Sequence, residues 1–309
     1  MRVIFFGTPD FAVSSLEAVH QAGHEIVQVV AQPDRPQGRG LRMHSPPTAQ
    51  TARTLGIPVD QPSRLRDQEF LSRVTALKPD LGIVVAYGKI LPQSLLEIPR
   101  AGFVNVHASL LPKYRGAAPI QRAIEAGETE TGVTIMRVDA ELDHGPTLAM
   151  ELTEIGNDER ASSLSARLAS LGAMALTGTL SALEAGSSIE LPQDHAQATY
   201  ARKIEREEGR VSWQSTAKQL YDRFRAFDPW PGLFVDAGGE LVKLLDVTKS
   251  EAEADFRAGT IARSGPDSVA VATSKGILEV RQLQRPGKKP THAVEYLRFR
   301  NLNVGDHFE

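Results

Sequence analysis

The sequence predicts an α/β domain built on a doubly wound, mostly parallel sheet, followed by a small β-barrel domain. Three observations carry that prediction. Residues 1–187 alternate short, near-continuous apolar runs with longer amphipathic stretches, the pattern of parallel strands covered on both faces by helices. From residue 205 to 309 the texture changes to short apolar runs punctuated by Gly, Pro and Asp, as in an antiparallel barrel. Between them, residues 188–204 ("SIELPQDHAQATYARKI") are polar and weakly patterned and read as a linker. At 309 residues the chain is long enough for two domains, each able to bury its own core.

Taken in order, "RVIFFG" is an apolar strand, "DFAVSSLEAVHQAG" an amphipathic helix ending at Gly23, and "HEIVQVVAQ" a second strand. "DQEFLSRVTALKP" has helical periodicity, while "LGIVVAYG" and "GFVNVHAS" are further buried strands. Residues 161–186 form a long helix that closes the domain. In the second domain "TAKQLYDRFRAF" is a short helix, and "LVKLLDV", "SVAVATS" and "ILEVRQLQ" are strands. Ligands of a doubly wound sheet gather beyond the carboxyl ends of its strands.

The bulk properties exclude several classes. With 41% hydrophobic and 24% charged residues the composition is that of an ordinary soluble protein, and no apolar run approaches the roughly 20 residues of a bilayer span. The N-terminus lacks the long apolar region and cleavage site of a secretory signal. The absence of cysteine excludes disulfides, thiolate metal sites and a Cys nucleophile, and fits a cytoplasmic protein. Residues 200–309 carry 18 Lys and Arg against 16 Asp and Glu, an excess that fits a solvated surface as well as a polyanion partner.

Three motifs fail on spacing. "GTPDFA" lacks the later glycines of a dinucleotide fingerprint. "GIVVAYGKI" resembles a phosphate loop but has one residue too many between its glycines, and Ile90 stands where a Ser or Thr belongs. "DAELDHG" starts like a calcium loop, yet Met150 occupies the place of the bidentate Glu, so no metal is expected.

The informative stretch is "FVNVHASLLPKYRG", residues 103–116. Side chains alternate across a strand, so Asn105 and His107 share one face while Val104 and Val106 share the other. Histidine moves protons near neutral pH, and an Asn amide is a neutral donor suited to an oxygen acquiring negative charge. A nearby carboxylate would orient the imidazole, and "VDAELDHGPT" offers one in a turn-like segment. On spacing alone the Asn-x-His pair also fits a turn or helix-capping pair.

"N-x-H-x-SLLPxYRG-x-x-P" resembles the signature of the folate-dependent formyltransferases. With "FFGTPDFA", "QPDRPQGRG", "VVAYGKILP", "ETGVTIM" and "AFDPWPG", the likeness extends over essentially the whole chain to the branch acting on methionyl-tRNA. The resemblance implies a Rossmann-like catalytic domain at 1–187 and an OB-like tRNA-binding domain at 205–309. It also implies a catalytic trio of Asn105, His107 and Asp143, with 10-formyl-tetrahydrofolate as formyl donor and initiator methionyl-tRNA as acceptor. Ser109, Leu110, Leu111 and Pro112 would lie along the folate, and the apolar strand ending at Tyr87 and Gly88 would line the slot for its pterin ring. Where the family reads close to "LDTGDML" at the Asp, this chain has "LDHGPTL", so His144 and Pro146 are departures, and Pro146 removes a backbone donor.

The acceptor is marked by the stretch from Arg35 to Val59, which has four Arg (35, 39, 42 and 53), no carboxylate, and a Gly/Pro content that excludes a regular helix. It resembles the tRNA-contacting insertion of that branch, with Arg39 and then Arg42 as phosphate contacts. Lys203, Arg206, Arg210, Lys288 and Lys289 are the corresponding candidates in the second domain. A nucleotide-sugar amine formyltransferase and a catalytically silent RNA-binding protein on the same scaffold are the competing readings. A monomer that does not engage membranes is expected.

Overall fold

The computed structural model describes residues 1–37, 42–252 and 255–308, which fold into two compact units. The first comprises Met1–Pro119, Glu130–Glu154 and Leu164–Arg202, and the second Ile120–Thr129, Ile155–Ser163 and Lys203–Glu309.

The first unit is built on a seven-stranded sheet. Strands β1 (Arg2–Gly7), β2 (Glu25–Val30), β5 (Val59–Asp60), β6 (Leu81–Val85) and β7 (Phe103–His107) are parallel. Strands β9 (Glu130–Arg137) and β10 (Thr147–Glu154) add an antiparallel edge, giving the order β10-β9-β7-β6-β1-β2-β5. Helices α1 (Asp10–Gln21), α3 (Gln68–Leu77), α4 (Gln93–Leu96) and most of α6 (Ala161–Glu184) belong to this unit. The apolar runs form strands because both faces are covered: Val3 to Phe6 have no exposed surface, and Phe6 meets Tyr87 and Phe103 edge-on at 5.3 and 5.6 Å. Helix α1 stops where expected, with Gly23 in the left-handed region at φ +82°.

By length and composition α6, 24 residues with an 18-residue stretch of mean hydropathy 1.2, would suffice to cross a membrane. Its Leu164, Leu168, Leu176 and Leu180 are fully buried in the protein, and a Cβ on its Gly172 would lie 2.8 Å from Val106 of β7. The chain winds outward from β1 through β2 to β5, then returns to β6 on the other side of β1. The direction of winding therefore reverses between β1 and β6, and the carboxyl ends of β1, β6 and β7 share one edge of the sheet.

Two segments differ from their sequence expectation. The Arg-rich stretch after β2 is ordered where it is described: β3 (Arg35–Gln37) and β4 (Arg42–His44) pair as a hairpin, and Pro47–Thr54 forms helix α2. A proline at the first helical position is preorganised for the turn, which is why a Pro-rich segment starts a helix here. Asp34 anchors the hairpin base by accepting 2.7 Å bonds from Ser45 Oγ and Gln61 Nε2, and these donors hold its carboxyl below the ordinary value. The stretch read as a linker also packs. Leu191 bridges Thr147, and β11 (Tyr200–Ala201) pairs with β8 (Arg115–Gly116), so residues through Arg202 belong to the first unit. Such one- and two-residue pairings have no periodicity to betray them.

The second unit holds α5 (Pro119–Glu125) from its second residue onward, α7 (Ala217–Ala226), α8 (Ala293–Arg300) and an antiparallel sheet. Its strands β12 (Leu233–Asp236), β13 (Leu241–Ser250), β14 (Ile261–Ser264), β15 (Val269–Ala272) and β16 (Ile277–Gln284) lie in the order β12-β13-β16-β15-β14, with β17 (Thr291–His292) paired to β16. Helix α7 starts at a reciprocal cap between Thr216 and Gln219, visible in "TAKQ". Helix α8 has little periodic signal in the sequence because its buried residues Ala293, Tyr296 and Leu297 span barely one turn.

Candidate active site

The site is built at the carboxyl end of β7. Asn105 sits between Val84 of β6 and Met136 of β9, and His107 is two positions further along. Val106, between them, faces α6. Alternation therefore leaves the amide and the imidazole together on the opposite face, as the spacing predicts.

Asp143 comes from the loop between β9 and β10 and closes the group. Its Oδ1 lies 3.5 Å from Asn105 Nδ2 and its Oδ2 lies 3.7 Å from His107 Nδ1. The backbone N–H of Gly116 donates to Oδ2 at 2.8 Å and sets the carboxylate's direction. The contact to Asn105 is at the outer limit of a hydrogen bond, and the amide has a second N–H beyond it. Gly116 itself has φ +114°, and a Cβ there would come within 2.9 Å of the Ala201 carbonyl oxygen.

The tautomer of His107 follows from its other partner. Nε2 lies 2.9 Å from the carbonyl oxygen of Tyr114, which can only accept, so Nε2 carries hydrogen. Nδ1 is then the nitrogen free to take up a proton, and it faces the Asp143 carboxylate. The ring is 6% exposed, so the charge it would acquire is screened little by water. This arrangement can place a donor on a developing oxyanion, accept one proton and balance the resulting charge.

The SLLP turn is pinned from below. Thr134 of β9 donates its hydroxyl to the Ser109 carbonyl at 2.7 Å and accepts the Leu111 N–H at 3.1 Å. The Ser109 hydroxyl, 1% exposed, donates to the Lys113 carbonyl at 2.6 Å, and Leu111 is buried. Leu110 and Pro112 are the partly exposed members of the turn. Tyr87 is 2% exposed within the core, and burial pushes its hydroxyl up to about 12. Its carbonyl accepts from Thr8 Oγ1 and Gln32 Nε2, both at 3.1 Å, which ties the segments after β1 and β2 to the end of β6. Gly88 is exposed, and a Cβ there would meet nothing within 4 Å.

Some functional side chains carry no signal of their partners in the sequence. Arg115 stands inside the "KYRG" motif but had no identifiable partner there. In the structure its buried guanidinium donates to Gln193 Oε1 at 2.7 and 3.2 Å. Gln193, in the supposed linker, carried no sequence signal at all. The departure residue His144 has definite partners, Asp139 at 2.8 Å and the ring of His195 stacked at 4.0 Å. Pro146 accepts the Arg137 N–H through its carbonyl at 2.9 Å.

Of the basic candidates, Arg39 lies outside the described residues, and so does the side chain of Arg42. Lys203, Arg206, Arg210, Lys288 and Lys289 are exposed in the second unit. Arg210 pairs with Asp236 at 3.2 Å and lies over the Phe234 ring.

Comparison with known proteins covers nearly the whole chain. Residues 1–180 match the family described as "Formyl transferase", and residues 203–301 match "Formyl transferase, C-terminal domain". The chain is 44% identical over 297 residues to the methionyl-tRNA formyltransferase of Moorella thermoacetica, covering 96% of each. It is 46% identical over 301 residues to that of Xanthomonas campestris, covering 97% of this chain and 98% of the relative. Among solved structures, an N-formyltransferase from Helicobacter canadensis in complex with folinic acid and dTDP-3-aminofucose superposes with a TM-score of 0.68 at 16% identity, over 91% of this chain and 99% of that one. HypX from Aquifex aeolicus in complex with tetrahydrofolic acid gives a TM-score of 0.65 at 18% identity, over 96% of this chain and 47% of that one. At these identities the structural likeness speaks for the fold.

Proposed function

The chain belongs to the formyl transferase family, and on that premise we propose that Asn105, His107 and Asp143 carry formyl transfer from 10-formyl-tetrahydrofolate to the α-amine of initiator methionyl-tRNA. The reaction is supported by the convergence of these three side chains, within 3.5 and 3.7 Å of one another through Asp143, at the open edge of the sheet. The acceptor is supported by relatives that bear the name methionyl-tRNA formyltransferase and match this chain from end to end.

Asn105 donates its amide N–H to the formyl oxygen as negative charge develops there. His107 receives the proton of the attacking amine at Nδ1, while Nε2 stays bound to the Tyr114 carbonyl. Asp143 balances the imidazolium and, with its carboxylate fixed by Gly116, helps return a proton to the departing nitrogen. Leu110 and Pro112, the partly exposed members of the SLLP turn, offer apolar surface to the folate, and exposed Gly88 presents no side chain to obstruct it. Arg39, Arg42, Lys203, Arg206 and Arg210 meet the phosphate backbone of the acceptor.

The test offers the purified protein 10-formyl-tetrahydrofolate with either initiator methionyl-tRNA or a 4-amino sugar nucleotide. Formylmethionyl-tRNA is the expected product, formed roughly 10² to 10⁴ times more slowly by His107→Ala. Turnover of the sugar nucleotide alone would refute the acceptor assignment.

A further inference from the structure

We infer that Gln193 is a positioning residue for the transfer reaction: with buried Arg115 it clamps the Asp143 loop in the one conformation that aims the carboxylate at His107. The inference rests on the catalytic reading of Asp143 above.

The loop needs an outside hold. Asp143 has φ +49°, a left-handed conformation that L-residues with a side chain seldom adopt and keep only where surroundings impose it. Its neighbours supply little apolar anchorage, since Ala140, Glu141 and Leu142 are exposed. Gln193 supplies the hold. One side-chain nitrogen donates to two loop carbonyls, Asp143 at 2.9 Å and Gly145 at 2.7 Å, on either side of His144. The orientation of the amide is unambiguous, because carbonyls only accept and the Arg115 guanidinium facing Oε1 only donates.

Arg115 completes the device. It is 3% exposed, its Nη2 also lies 2.8 Å from His195 Nδ1, and it directly precedes Gly116. The two residues of β8 therefore grip Asp143 twice, the side chain through the Gly116 N–H and the backbone through Arg115 and Gln193. Every hydrogen-bonding position of the Gln193 amide is engaged, at 7% exposure, which is far more order than a spacer residue needs.

The experiment uses the full-length protein and the variants Gln193→Glu, Gln193→Ala, Arg115→Lys, Asp143→Ala and Asp143→Ala/Gln193→Ala. It reads kcat, folate affinity and the thermal midpoint. Gln193→Glu preserves volume and the acceptor for Arg115 but donates nothing to the loop. We expect its kcat to fall by about 10²-fold, the penalty of a misplaced catalytic group, with folate affinity unchanged. Arg115→Lys, which withdraws the fork and leaves Gln193 in place, gives the same split. In the Asp143→Ala background Gln193→Ala adds no further loss, because both act through one carboxylate. Wild-type turnover by Gln193→Glu, or full multiplication of the two losses, overturns the clamp while Asp143→Ala still shows its own defect. Wild-type turnover by Asp143→Ala removes the catalytic reading of Asp143 and the clamp with it.

Discussion

His107 Nε2 lies 2.9 Å from the carbonyl oxygen of Tyr114, and this one bond determines which ring nitrogen serves the site. A carbonyl cannot donate, so the free lone pair belongs to Nδ1, on the side of Asp143. Replacing His107 or Asp143 by Ala should lower kcat by roughly 10² to 10⁴, the range of general acid-base assistance, with folate affinity little changed. Single-turnover kinetics and equilibrium folate titration separate the two. An affinity that collapses in parallel with the rate would mean that these residues merely shape the pocket.

Asn105 contributes through a donor. Asn105→Ala should cost about 10² to 10³ in kcat, as loss of one oxyanion donor does. The KM for methionyl-tRNA should stay near its wild-type value, because the bond matters as charge develops and not in the resting complex.

Thr134 is a structural prediction. Its hydroxyl joins the Ser109 carbonyl and the Leu111 N–H, all buried, so Thr134→Val leaves both backbone groups without a partner. Each stranded group costs about 1–3 kcal/mol. Urea unfolding should show a stability loss of about 2–6 kcal/mol for the two groups together, and Thr134→Ser should recover most of it. Equal stability of the Val and Ser variants would disprove the pin.

Stability should also respond to pH through His24. Burial, reinforced by the N-terminal amine and opposed by Glu184, holds its pKa below the ordinary 6.5. The unfolded chain then binds the proton first. The contribution is fully present above pH 6.5 and is lost as pH falls from 6.5 through the lower folded value. Thermal midpoints measured between neutral and mildly acidic pH should fall in the wild type and fall less in His24→Gln.

Arg39→Ala and Arg42→Ala should raise the KM for methionyl-tRNA and leave folate affinity alone. Each should flatten the salt dependence of tRNA binding by about one log unit per tenfold change in salt, the share of one phosphate contact. Unchanged salt slopes would place these arginines away from the backbone.

Much of this protein is readable from short-range pattern. The strands β1, β2, β6 and β7 and the helices α1, α3 and α6 follow from apolar periodicity and from stops such as Gly23, because burial on both faces of a parallel sheet writes itself into consecutive residues. The pairing of Asn105 with His107 needs only strand alternation. What periodicity does not encode is partnership across distance. Gln193 reaches Asp143 over 50 positions, Leu191 bridges Thr147 over 44, and Tyr87 shares a core cluster with Phe6 and Phe103. Chain order says which side chains can face the same way within one element. Which loops then meet at the sheet edge is settled when the separate strands are stacked and their unpaired polar groups seek partners, and that choice exists only in the folded chain.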